Sequence, residues 1–197
     1  MAKQMKHYAF PRRRGSNITL IGMPSSGKST LGRLTARLLE RDFVDTDEVL
    51  GRLTGTASTA ELAKQTDFEG FVRAEEAAVR SVLPEETIIA TGGSVVYSAR
   101  AMRHLQKLGP IIYIKVPLEK IEQRVNLNPA RGVILAPGQT FADLFATRHR
   151  LYLRYSDMEF TPEELDVKTS ARLLAALIEY MEDERERYYE QETHRRY

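Results

Sequence analysis

A three-layer α/β fold is predicted, with a central parallel five-stranded sheet covered by helices on both faces, and three observations predict it. Short, nearly continuous apolar runs alternate with stretches of helical period along the chain. The runs lack the in-out alternation of a half-solvated strand, as expected where helices cover both faces of a parallel sheet. The first run also ends in a glycine-rich turn that leads directly into a helix.

Asn17-Ile18-Thr19-Leu20-Ile21 is the first strand, and Leu31, Leu34 and Leu38 then recur at helical spacing. Phe43-Val44-Asp45 reads as the second strand. Residues 58–83 are alanine-rich helical material closed by Pro84, because a proline inside a helix removes an amide donor and clashes with the preceding turn. Thr87-Ile88-Ile89-Ala90 and Ile111-Ile112-Tyr113-Ile114 are strands of the buried type, with helices expected near 96–107 and 117–126. The segment 127–140 (LNPARGVILAPGQT) has no period and reads as a mobile lid. A helix near 141–158, a brief strand at Leu165-Asp166-Val167 and a helix from about 170 complete the pattern. In that last helix Leu173, Leu174, Leu177, Ile178 and Met181 form an apolar stripe.

The 197 residues suffice for one such domain, placed at 17–180. Residues 1–16 are a basic tail carrying Lys3, Lys6 and Arg12 to Arg14, and 181–197 are a charged helical extension; both are read as solvated. A net charge of +2 gives no reason to expect a nucleic-acid partner. The absence of cysteine excludes a disulfide framework, a thiolate metal site and a thiol nucleophile. No apolar run reaches the roughly 18 residues of a membrane span, and no secretory h-region follows the N-terminal charges, so no membrane partner and a cytoplasmic location are expected.

The chemistry begins at Gly22-Met23-Pro24-Ser25-Ser26-Gly27-Lys28-Ser29, a complete G-x-x-x-x-G-K-[ST] between a strand and a helix. Its glycines let backbone amides curl around phosphate oxygens, and the helix N-terminus adds positive potential. Gly22, Pro24, Ser25, Ser26, Gly27, Lys28, Ser29 and Thr30 are the candidate nucleotide residues. Lys28 would reach the β- and γ-phosphates, and the Ser29 hydroxyl would ligate Mg²⁺. Asp45-Thr46-Asp47 ends the second strand, at the sheet edge where open α/β folds bind ligands. Two carboxylates at this spacing can divide labour between metal and substrate hydroxyl, while Thr46 or Asp47 as a helix N-cap is the plainer reading.

With GMPSSGKST, FVDTD, Thr91-Gly92-Gly93, the spacing of Arg124 and Arg131, and Arg148-His149-Arg150-Leu151-Tyr152, the chain resembles shikimate kinases, within the nucleoside-monophosphate-kinase-like P-loop group. The similarity runs from about Asn17 to Asp166. It implies an ATP-dependent transfer of the γ-phosphate to a hydroxyl of shikimate in aromatic amino acid biosynthesis, with Mg²⁺, by a monomer whose partners are ATP and a small hydroxylated acid. By the resemblance Asp45 helps hold Mg²⁺ and Asp47 is the catalytic base. Gly92 and Gly93 let backbone approach the substrate, and Arg124 lies against adenine. Arg131 is the lid arginine at the transferring phosphoryl group, and Arg148 clamps the substrate carboxylate. Thr91 stands where the family usually has a third glycine, and Arg131-Gly132-Val133 stands in place of Arg-Pro-Leu.

The family's Phe-Arg-x-x-Glu, whose arginine also grips the carboxylate, fits Gly70-Phe71-Val72-Arg73-Ala74-Glu75-Glu76 in two registers. Keeping Phe71 places Val72 at the arginine position; sliding by one makes Arg73 the substrate residue. Val72 shares a helical stripe with Phe68 and Val79, and Arg73 shares one with Glu69, Glu76 and Arg80. The same machinery acting on gluconate or homoserine, a nucleoside monophosphate kinase using Arg148, Arg150 and Arg154, and a nucleotide-binding regulator without catalysis are the competing readings.

Overall fold

The strand–glycine loop–helix unit anticipated at the N-terminus forms as β1 (Ile18–Ile21) and α1 (Lys28–Leu38) in a computed structural model, which describes residues 15–127, 133, 135, 138–162 and 165–194. Strands β2 (Asp42–Asp45), β3 (Thr87–Ala90), β4 (Ile111–Ile114) and β5 (Met158–Phe160) complete a five-stranded sheet in the order β2-β3-β1-β4-β5. Every pairing is parallel, as the strand–helix alternation requires. The three central strands are buried along their whole length, which is why their sequences are apolar runs.

The core joins Leu20, Ile88, Ile112 and Met102 from the sheet and α5 (Ala99–Leu108) to Leu174 and Ile178 from α8 (Val167–His194). Asn17 closes the lower end of the sheet. Its amide nitrogen donates to Pro84 O at 2.7 Å and Leu108 O at 3.1 Å, and its oxygen accepts from the Thr87 amide at 3.0 Å. A buried amide saturated in this way ties three segments that the chain separates by up to 91 residues.

The helical material expected over 58–83 is two helices, α3 (Thr59–Gln65) and α4 (Phe68–Arg80). Ser58 accepts from the Glu61 amide and Asp67 accepts from the Gly70 amide, so each helix starts at its own side-chain cap. The last strand lies earlier than expected. Met158-Glu159-Phe160 pairs with Ile112-Tyr113-Ile114, and the Asp157 carboxylate accepts from the Ile111 amide at 2.8 Å to start the ladder. Leu165-Asp166-Val167 is instead a helix start, because Asp166 accepts from the amides of Lys168 and Thr169. Of the α8 stripe, Leu174, Ile178 and Met181 are buried, Leu177 is partly so, and Leu173 is exposed. α8 continues through 181–194, where Glu182 pairs with Arg41 at 2.7 Å. The remaining helices are α2 (Thr46–Thr54), α6 (Leu118–Leu127) and α7 (Phe141–Tyr155). Among the described residues no helix is long and apolar enough to cross a membrane.

Candidate active site

β1 ends in the loop 22–27, whose curl depends on backbone angles that side chains disfavour. Gly22 and Gly27 have φ of 150° and 93°, and Ser25 also has a positive φ of 62°. Lys28 is buried, and its ammonium donates to Gly22 O at 2.9 Å, Met23 O at 2.8 Å and Ser26 Oγ at 3.3 Å. The lysine therefore holds the loop's own shape while standing where phosphate oxygens would arrive.

Two cavities open on either side of this loop. The first, of about 380 Å³, is lined by Ser25, Ser26, Gly27, Thr30 and Arg124 on one side and by Pro162, Leu165, Val167 and Ser170 on the other. Arg124 donates to Ser25 O at 3.3 Å, which joins α6 to the phosphate loop. This groove has the size and apolar wall of a nucleoside site.

The second cavity lies beyond Lys28 and Ser29 and collects Pro24, Asp47, Gly92, Gly93 and Arg148. Asp45, and not Thr46 or Asp47, caps α2: its Oδ1 accepts from the Asp47 amide at 3.0 Å. Thr46 Oγ1 accepts from the Gly92 amide at 3.2 Å, pinning the Thr91-Gly92-Gly93 turn beside Asp47. Thr91 is buried, and its hydroxyl donates back to Leu20 O, so a hydroxyl at this position ties the turn to β1.

The two glycines are required by space. A Cβ on Gly92 would stand 2.1 Å from Glu75 Oε1 and 2.8 Å from Asp47 Oδ1. One on Gly93 would stand 2.6 Å from Pro24 Cδ and 3.1 Å from Arg148 Nη1. Gly92→Ala is therefore expected to displace both carboxylates and to lower kcat/KM for the acceptor about a hundredfold, with the KM for the nucleotide nearly unchanged; steady-state kinetics on each substrate check this.

α7 carries Leu144, Arg148 and Tyr152 inward at i, i+4 and i+8. Tyr152 donates to Gly93 O at 2.6 Å, and burial raises its pKa, so it stays a neutral donor. Arg148 is buried with its guanidinium 5.4 Å from the centre of the Tyr97 ring, and its Nε has no hydrogen-bond partner among the described residues. Arg148 also lines the cavity, and a buried guanidinium there is chemically suited to an anionic group. Arg150 and Arg154 are exposed, so the arginine crowd of the sequence does not converge.

Arg73 is not brought to the site. It is exposed and pairs with Glu69 at 3.4 Å, on the outer face of α4. Phe68, Phe71 and Glu75 line the cavity instead, with Val72 half-buried between them, so the unslid register is the one the helix adopts. The stripe holding Phe68 and Val72 thus borders the site as well as the core.

Glu75 was not singled out by sequence. It is buried, Ser94 Oγ donates to its Oε2, and its pKa rises from 4.5 to about 7. Burial is the main cause and Asp47 adds to it, while Ser94, Arg148 and Lys28 oppose the shift. Its signal was the Phe-x-x-x-Glu pattern, whose glutamate falls on Glu75 when Phe71 keeps its place. Arg131 lies outside the described residues.

Comparison with known proteins agrees with this geometry. A family model described as "Shikimate kinase" matches residues 24–181. The shikimate kinase of Pasteurella multocida (strain Pm70) is 32% identical over 167 residues, covering 83% of this chain and 95% of that protein. That of Vibrio campbellii (strain ATCC BAA-1116) is 31% identical over 166 residues, covering 83% and 96%. Among solved structures, shikimate kinase from Acinetobacter baumannii in complex with shikimate superposes with a TM-score of 0.75 at 27% identity, over 84% of this chain and 94% of that one. The Mycobacterium tuberculosis APS kinase CysC, at 16% identity and a TM-score of 0.52 over 84% of this chain and 98% of that one, shares the fold alone. With a strand–glycine loop–helix unit, a polar cavity beside it and a family match over most of its length, the chain belongs to the shikimate kinase family, P-loop phosphotransferases with an alcohol group as acceptor.

Proposed function

We propose that this chain transfers the γ-phosphoryl group of ATP to a hydroxyl of shikimate. The observation that carries the reading is the convergence of Lys28, Asp47 and Arg148 on one cavity beside the phosphate loop. Their chemistry covers what phosphoryl transfer to a hydroxylated acid needs: a cation for the phosphates, an acceptor for the hydroxyl proton and a clamp for the carboxylate. ATP occupies the groove along Arg124 and Val167, with its phosphates on the loop. Shikimate places its carboxylate on Arg148 and its reacting hydroxyl at Asp47, over Gly92 and Gly93. Asp47 takes the hydroxyl proton as the oxygen attacks, and Lys28 balances the charge that spreads over the phosphoryl oxygens.

Mg²⁺ fits the donors present. Among the described residues no cluster of three His, Cys, Asp or Glu is suited to hold a metal. That suits an ion carried largely by phosphates and water, with one or two protein ligands. The Ser29 hydroxyl and Asp45 would be those ligands, and since Asp45 commits Oδ1 to capping α2, Oδ2 is the oxygen it can offer. When bound, the ion neutralises phosphate charge in the transition state. Arg131 enters as a further cation at the transferring group, on the strength of the sequence.

Arg148→Lys keeps the charge but loses the planar fork. It is expected to raise the KM for shikimate about ten- to a hundredfold, as for loss of one charged hydrogen bond, with the KM for ATP unchanged. The exposed positions of Arg150 and Arg154 do not favour the nucleoside monophosphate reading. Location in the cytoplasm and a monomeric state belong to the same proposal. ADP release from Mg·ATP is the test, with shikimate set beside gluconate, homoserine and nucleoside monophosphates. Turnover that depends on shikimate supports the reading, and turnover with another acceptor alone contradicts it.

A further inference from the structure

Among the described residues Arg148 is the one arginine that lines the acceptor cavity. Valine stands at position 72 and Arg73 turns to solvent, so α4 adds no second guanidinium. The orientation of a single planar fork then governs how well an anion is held. No hydrogen bond fixes that plane at Nε, which has no partner among the described residues. What lies over the guanidinium is the face of the Tyr97 ring, 5.4 Å from Cζ to the ring centre.

Tyr97 is set for this contact by its own surroundings. It ends the short 3₁₀ turn Val95–Tyr97, in which Val95 and Val96 are buried, and its amide donates to Ser94 O at 3.0 Å. Ser98 follows at once and caps α5 by accepting from the Ala101 amide. Phe68 from α4 meets the Tyr97 ring in a T-shaped pair, with centres 5.2 Å apart and planes at 77°. The row Phe68, Tyr97, Arg148 thus joins α4, the turn and α7, and its middle ring is not among the residues that line the cavity.

We propose that Tyr97 is the positioning residue of the carboxylate clamp: its ring face holds the Arg148 guanidinium by cation–π attraction and leaves the in-plane N–H donors to the acceptor. A protein carboxylate in the same role would occupy those donors, whereas a ring attracts the cation through its face. Burial of the guanidinium strengthens the attraction. This rests on the reading above, in which Arg148 takes the carboxylate of the acceptor.

The experiment changes the potential of the ring face while keeping its shape. Tyr97→Phe is set beside Tyr97→trifluorophenylalanine, introduced as an unnatural amino acid, because fluorine draws negative charge away from the face. The KM for shikimate stays within about twofold of the wild type in Tyr97→Phe and rises about tenfold in the fluorinated variant. In both, kcat and the KM for ATP are unchanged. With Arg148→Met added, kcat/KM for shikimate is the same for the two rings, because the ring acts through the guanidinium. Equal KM values for the two rings overturn the inference, and so does a difference that persists beside Arg148→Met. If Arg148→Met abolishes turnover, the two rings beside the native Arg148 decide: a rise confined to the KM for shikimate upholds the inference, and a parallel rise for ATP overturns it. Turnover of shikimate with no difference between the rings refutes the role of Tyr97 alone. No turnover of shikimate by the wild type refutes the acceptor reading and the inference together.

Discussion

Asp47→Asn is expected to lower kcat about 10²- to 10⁴-fold with the KM for each substrate nearly unchanged. The substitution keeps size and hydrogen-bonding reach but removes the site that can take a proton. Asp47 stands two residues after Asp45, which caps α2, and its backbone amide, not its side chain, makes the cap bond. The helix start therefore survives the change, and a loss of rate reports chemistry. Its carboxylate is packed over Gly92, near Glu75, so an asparagine of the same shape fits without new backbone strain. Pre-steady-state phosphoryl transfer and steady-state KM values together check the split; near-normal turnover would remove Asp47 from the role of base.

Lys28→Met is expected to lower kcat about 10²- to 10³-fold, the range for loss of one preorganised donor to developing charge, and to weaken ATP binding as well. Here structure and chemistry are coupled. The ammonium donates to two loop carbonyls and to Ser26 Oγ, so its removal leaves buried acceptors in a loop already bent through positive φ at Gly22, Ser25 and Gly27. Thermal unfolding and nucleotide titration, set beside kinetics, separate the two. Loss of rate at unchanged melting temperature assigns the effect to phosphate charge, and a normal rate contradicts the role given to Lys28.

The elements legible in the sequence were those whose physics is local. Ile18–Ile21, Thr87–Ala90 and Ile111–Ile114 are buried on both faces, so their apolar runs announce them. The phosphate loop was legible because amide-lined curls need glycine at fixed spacing. β5 escaped notice because a three-residue strand at the sheet edge keeps Glu159 exposed and reads as the tail of α7. Leu165-Asp166-Val167 mimicked a strand by alternation, although its aspartate was a helix cap.

In the site, Asp47, Gly92, Gly93 and Arg148 come together as their motifs suggested. Arg73 does not, because its register on α4 was open in sequence and its stripe of charges faces out. Glu75 was overlooked for the same reason: it is the motif glutamate only in the register that keeps Phe71, and burial beside the turn at Gly92 picks that register out.

The most direct measurement is phosphorus NMR of the wild-type protein with Mg·ATP and shikimate, followed until ATP is consumed. The account predicts a new phosphomonoester resonance that grows in equal amount with ADP and is absent without shikimate. ADP accompanied by inorganic phosphate alone, or no consumption of ATP, would contradict it.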